Sequence, residues 1–190
     1  MSKVDTKQRI LEAASKLFYY NGVNATGINE ILKESGAARG SFYHFFPNGK
    51  DQMAYETVQL TCENQIERTR SLIHAKKDPV AAFQHRIQAL IDEITALKGQ
   101  DELSIGLVAL ESWKNSPALS KLCGDTLSRM IDIYTEKLMA HGMSEKTARG
   151  VGTVYQTMID GALILSVSRK EVSALKEVQK QIKVLVNNAE

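Results

Sequence analysis

Proline is scarce, with 3 residues in 190, and glycine stands at only 12. So few breakers exclude a loop-rich or low-complexity chain. No apolar stretch approaches about 18 residues, which argues against a transmembrane helix. Met1 to Ser15 alternates charged and apolar types and lacks the unbroken apolar block of a signal peptide; a cytoplasmic location is therefore expected. There are two cysteines, Cys62 and Cys123, far apart and without CxxC spacing. That excludes a disulfide framework or a zinc site and leaves two small buried apolar residues. His74, His85 and His141 are scattered, with no HExxH, GxSxG, Walker or GxGxxG pattern around them. No catalytic set, metal or cofactor is expected, and an enzyme is disfavoured.

What the chain does contain is ordinary globular material, 43% hydrophobic and 24% charged. Its length corresponds to roughly 1.3 domains, at about 150 residues each. The net charge of +2 becomes informative when divided. Residues 1–50 carry 7 Lys/Arg against 4 Asp/Glu, or +3, and the remainder carries 17 against 18, or −1. Attraction for a polyanion therefore sits in the first quarter.

Apolar residues recur at helical spacing almost throughout, and no strand alternation is present. Ile10, Leu11, Ala14, Leu17 and Phe18 form one face of a first helix ended by Asn21-Gly22. Thr26 is placed to cap a second helix carrying Ile28, Ile31 and Leu32. Ser35-Gly36-Ala37 makes a tight turn before a short third helix, about 38–46, stopped by Pro47-Asn48-Gly49. Longer helices are expected over about 50–74, from Pro79 to Leu97 before Lys98-Gly99, over about 103–114, from Pro117 to the break at His141-Gly142, and over about 145–168 and 171–186. This is an all-α chain of about nine helices. It divides into a three-helix domain, 1–49, and an antiparallel helical bundle, 50–190.

The second and third helices with their glycine turn form a candidate helix-turn-helix. Taking Arg39 as the origin, Phe42, Phe45 and Phe46 fall near about 300°, 240° and 340°, while Arg39, Gly40, Tyr43 and His44 lie between 0° and about 140°. Three phenylalanines can anchor the helix. The other face offers a guanidinium able to grip a guanine edge, a bare backbone, and a phenol and imidazole able to donate to phosphate. Thr26 and Lys50, at flanking helix starts, would add phosphate contacts. A short bundle helix with Tyr and His outside and Phe inside is the competing reading.

The stretches ILEAASKLFYYNGVNATGINEILKESG and AARGSFYHFFPNGKDQM resemble the DNA-binding domain of the TetR family of bacterial transcriptional regulators. The FPNGK step, one residue longer than the commoner family form, resembles the LmrA/YxaF-like branch. The resemblance implies a recognition helix from Ala38 to Phe45, with Arg39 and Ser41 facing bases around Gly40, and Tyr43 and His44 facing phosphates. Thr26 and Lys50 match family phosphate contacts. Ala38 stands where the family often has Ser or Thr, losing a cap at a cost of about 1 kcal/mol. Phe45 stands where many members have His and takes no polar role.

The resemblance further implies a homodimer and a small effector bound by residues 50–190. The helix over about 145–168 is apolar on two faces, and Gly152, Ile159 and Leu163 lie on its smaller-residue stripe. With Leu175, Val178 and Ile182 of the last helix they form a candidate dimer interface; a core seam in a monomer is the alternative. Phe83, Trp113, Met130, Tyr134, Tyr155 and Met158 are candidate pocket residues for a hydrophobic or aromatic effector. Glu111 could face a cationic ligand. Each of these also fits a plain core or surface role. The expected function is a dimeric repressor that binds a pseudo-palindromic DNA operator and is released by such an effector. The alternatives are a DNA-binding regulator switched by a protein partner, or a helical-bundle enzyme or carrier that no longer binds DNA.

Overall fold

The computed structural model describes residues 3–96 and 104–189. Among the described residues there are nine α-helices and no strand: α1 (Lys3–Asn21), α2 (Ile28–Ser35), α3 (Arg39–Phe45), α4 (Gly49–His74), α5 (Pro79–Thr95), α6 (Ile105–Ser112), α7 (Pro117–Met139), α8 (Glu145–Arg169) and α9 (Ser173–Asn187). The expected boundaries at Leu97, Lys98, Gly99 and Leu103 lie outside the described residues.

Local chemistry explains most of the element ends. Gly22 and Gly36 adopt φ of 83° and 64°, the left-handed conformation that closes α1 and α2. Asp78 accepts the Ala81 amide at 2.7 Å ahead of Pro79, which fits the first helical position because it has no N–H to leave unpaired. Ser144 caps α8 by accepting from the Thr147 amide. One cap differs from expectation. Gly27, not Thr26, precedes α2, and the Glu30 carboxylate accepts the Gly27 amide at 2.9 Å. The Thr26 hydroxyl turns back to donate to the carbonyls of Gly22 (2.8 Å) and Leu17 (3.3 Å), serving the end of α1.

The chain packs as two compact units, 1–64 with 101–126, and 65–100 with 127–190. Both α4 and α7 contribute to each, so packing does not follow a cut at 49/50. In the first unit Ile10, Ala14 and Phe18 of α1, Ile31 of α2, and Phe42 and Phe46 are buried together with Met53 and Val58 of α4. Burying each such large side chain is worth about 1.5–3 kcal/mol. In the second unit α9 packs on both α5 and α8. Gln84 and Gln179 exchange side-chain-to-carbonyl bonds of 3.1 and 3.0 Å. Phe83 stacks on Tyr155 at 4.3 Å, and Tyr134 meets Tyr155 edge-on at 4.8 Å.

Candidate nucleic-acid interface

The short α3 separates its side chains by function. Phe42 and Phe46, the residue that ends the helix, are fully buried, with ring centroids 5.3 Å apart. Their burial fixes the rotation of α3, so Arg39, Gly40, Tyr43 and His44 are exposed and Ser41 and Phe45 half-buried. Tyr43 keeps 43% of its surface in solvent. The Arg39 guanidinium donates to Asn29 Oδ1 at 3.5 Å and lies 6.0 Å from the Tyr43 ring centroid. Asn29, exposed on α2, is a partner that helical spacing alone did not single out. A Cβ added to Gly40 would meet nothing within 4 Å, so the protein's own packing does not demand glycine there. As Ala38 predicts, no side chain caps α3.

The flanking residues behave differently. Thr26 is fully buried and both its hydroxyl contacts are internal, so the phosphate role expected of that hydroxyl is not supported; the buried O–H is satisfied by the carbonyls of Gly22 and Leu17 instead. Lys50 lies in the first turn of α4, half-buried, its Nζ donating to the Asn24 carbonyl at 2.9 Å. Two ammonium hydrogens remain for an outside acceptor.

Of the candidate effector residues, Phe83, Tyr134 and Tyr155 come together and Met130 is buried in the same unit, while Met158 is half-buried on α8. Each face of this aromatic cluster is taken up internally. The Tyr155 hydroxyl donates to the Phe83 carbonyl at 2.8 Å, and the Tyr134 hydroxyl to Gln156 Oε1 at 3.1 Å. Burial pushes the Tyr134 phenol up to about 12 and raises that of Tyr155 well above its ordinary value. Trp113 does not join them. It follows α6 in the first unit, 63% exposed, with Lys114 Nζ 4.8 Å from its ring centroid. A wide, exposed indole at a helix end is a surface residue, contrary to its expected pocket role. Glu111 is also reassigned. Its carboxylate accepts the backbone amides of Val23 and Asn24, so it is already occupied and is not free to meet a cation.

The candidate dimer residues need correction as well. Gly152 is buried in the second unit, where an added Cβ would lie 3.3 Å from the Ile131 carbonyl oxygen and 3.3 Å from Tyr134 Cβ. Ile159, Leu175 and Ile182 are buried within that unit, and Leu163 and Val178 half-buried. The four buried residues are taken up inside their own unit, while Leu163 and Val178 keep part of their surface in solvent. The exposed stripe of α8 is instead Val154, Thr157, Gly161, Ile164 and Ser168, spaced 3, 4, 3 and 4. Among the described residues no cluster suited to a metal ion is present, and no helix is long and apolar enough to cross a membrane.

Known proteins resemble the chain along nearly its whole length. The family model described as bacterial regulatory proteins, tetR family, matches residues 10–57, and that of the transcriptional regulator LmrA/YxaF-like C-terminal domain matches residues 79–181. The uncharacterized HTH-type transcriptional regulator YxaF of Bacillus subtilis is 36% identical over 185 residues, covering 97% of both chains. The HTH-type transcriptional regulator LmrA of the same organism is 34% identical over 178 residues, 94% of this chain and 95% of that one. A TetR transcriptional regulator from Chloroflexus aurantiacus superposes with a TM-score of 0.84 at 17% identity, covering 97% and 95% of the two chains. Reduced Escherichia coli NemR gives 0.80 at 16%, covering 94% and 95%.

Proposed function

Because the chain belongs to the TetR family of bacterial transcriptional regulators, in its LmrA/YxaF-like branch, and so is a DNA-binding regulator and not an enzyme, we propose that it is a cytoplasmic repressor. It binds a pseudo-palindromic operator as a homodimer and releases it when a small hydrophobic or aromatic effector occupies the carboxy-terminal bundle. The observation that carries the DNA half of this reading is the division of α3, with Phe42 and Phe46 sealed inside and Arg39, Tyr43 and His44 outside. Functionally, residues 1–49 read DNA and 50–190 bind effector and partner.

Dimerisation through α8 and α9 is supported by the apolar residues they leave uncovered: Val154 (46% exposed), Ile164 (48%) and, on α9, Val184 (54%). The 3–4 spacing on α8 suits a helix packed against a copy of itself. Effector binding would use Phe83, Tyr134, Tyr155, Met130 and Met158, and a ligand must displace rings that now stack on each other. That closed cluster is the observation favouring a second reading, in which a protein partner rather than a small molecule releases the DNA.

The test combines a duplex selected from a randomised library with a hydrophobic fluorescent probe, 8-anilinonaphthalene-1-sulfonate. Selective, salt-sensitive binding of the duplex is expected, together with saturable probe binding that lowers operator affinity. Effector release requires differential affinity; a tenfold weakening takes about 1.4 kcal/mol. Probe binding with no effect on the operator would favour the protein-partner reading.

A further inference from the structure

The loop between α1 and α2 is tied to a helix more than eighty residues later in the chain. Glu111, near the end of α6, accepts the Val23 amide at 3.0 Å through Oε2 and the Asn24 amide at 2.6 Å through Oε1. Asn24 Nδ2 returns a bond to the Glu111 carbonyl at 3.3 Å. Gly22, at φ 83°, turns the chain so that these two consecutive amides face one carboxylate, and a Cβ on it would lie 3.0 Å from Oε1. The Asn24 carbonyl is held in turn by Lys50 Nζ at 2.9 Å. Successive N–H groups converging on an anion form a concave binding site, and charge-assisted bonds are roughly twice as strong as neutral ones. A solvated surface carboxylate would not arrange all of this around itself.

We propose that Glu111 is a positioning residue for operator recognition, a latch through which α6 sets the placement of the helix-turn-helix. The loop it grips leads directly into α2, and Asn29 of α2 accepts from Arg39 of the recognition helix. A displacement of α6 therefore pulls on the start of α2 and on the residue that steadies Arg39. This adds a non-covalent route to the covalent one through α4. α6 belongs to the segment matched by the carboxy-terminal family model, so effector control, if it works as proposed above, can act through this latch.

The experiment uses the full chain and two duplexes, the selected operator and a random-sequence DNA of equal length. Glu111→Gln keeps the side-chain size but removes the charge and one acceptor. At a temperature where circular dichroism shows parental helix content, it is expected to lose at least about tenfold in operator affinity, or 1.4 kcal/mol. Random duplex should stay within about threefold, since non-specific binding depends on phosphate charge and not on where Arg39 sits. Amide exchange at Val23 and Asn24 should quicken. Operator affinity within twofold of the parent, or equal losses on both duplexes, would overturn the proposal. If Glu111→Gln does not fold, amide exchange in the parent decides. Asn24 is exposed, so slow exchange at its amide reports the bond to Glu111, and exchange at the rate of an unstructured amide contradicts the latch. A parent that selects no duplex would count against operator binding itself, while exchange at the two amides still decides the latch.

Discussion

Arg39 and Lys50 are both basic, yet under the proposed function their surroundings suit them to different work. Arg39 projects from the exposed face of α3, braced by Asn29, where a bidentate base contact is worth about 1–3 kcal/mol. Arg39→Ala should therefore bring operator and random duplex closer together in affinity. Lys50→Ala should weaken both almost uniformly and reduce the log–log salt slope by about one. Competition binding at several salt concentrations checks both, and equal losses on the two duplexes for Arg39→Ala would count against its assignment. Cys123 offers a different test. Burial, helped by the neighbouring Cys62, pushes its thiol up to about 12. The folded protein should resist alkylation at pH 8, whereas the unfolded chain reacts. Above about pH 9 the unfolded thiol ionises while the folded one keeps its proton, so stability falls as pH rises towards 12. A pH series of denaturant midpoints, compared with Cys123→Ala, measures this. Single residues are also the scale at which local sequence spacing says least. Thr26 has the chemistry of a cap, but its hydroxyl found a stronger need at the end of α1, and bare Gly27 took the cap position. Glu111 and Trp113 lie two residues apart at the end of α6 and give no sign in sequence that one grips a distant loop and the other stands in solvent.

The helices themselves were legible because apolar spacing, glycine stops and prolines at first turns all act locally. Which side of a helix meets which neighbour is not local, and α8 shows it. Apolar over more than one face, it offered two stripes, and the smaller-residue one looked like an interface. Gly152 is small because α7 passes close by. A contrast of two glycines tests that account. Gly152→Ala gains up to about 1 kcal/mol of helix propensity but overpacks a tight contact, which costs about 1–3 kcal/mol, so a net loss is expected. Gly124→Ala in α7 has open space around its Cβ and should gain about 0.5–1 kcal/mol. Thermal or urea unfolding reads both. For the outer stripe, Ile164→Glu should dissociate the proposed homodimer while leaving helix content intact, because it places an unpaired charge in the apolar surface a partner would cover. Sedimentation at low micromolar concentration provides the check; undiminished dimers would move the interface off this face. Gly152→Glu, by contrast, should unfold the bundle.

For the whole molecule, fold class and DNA binding were readable because many positions of the first fifty residues match one family in order, and because α3 sorts its aromatics from its polar groups. The effector was not readable. Phe83, Tyr134 and Tyr155 have the side chains of a ligand site, but the same rings fill a core equally well, and in the structure they pack on one another, one pair stacked and two edge-on. Recognition by α3 also ties function to symmetry. Two copies of one short helix, presented by a dimer, should read two related half-sites about one helical turn apart, or a multiple of that spacing. The direct test is selection of duplexes from a randomised library by the intact protein, followed by footprinting of the enriched sequence. An inverted repeat is expected, whose selective binding falls steeply with salt and whose preference at a guanine in each half-site relaxes in Arg39→Ala. Enrichment of no sequence over random DNA, or a preference unchanged by Arg39→Ala, would contradict it.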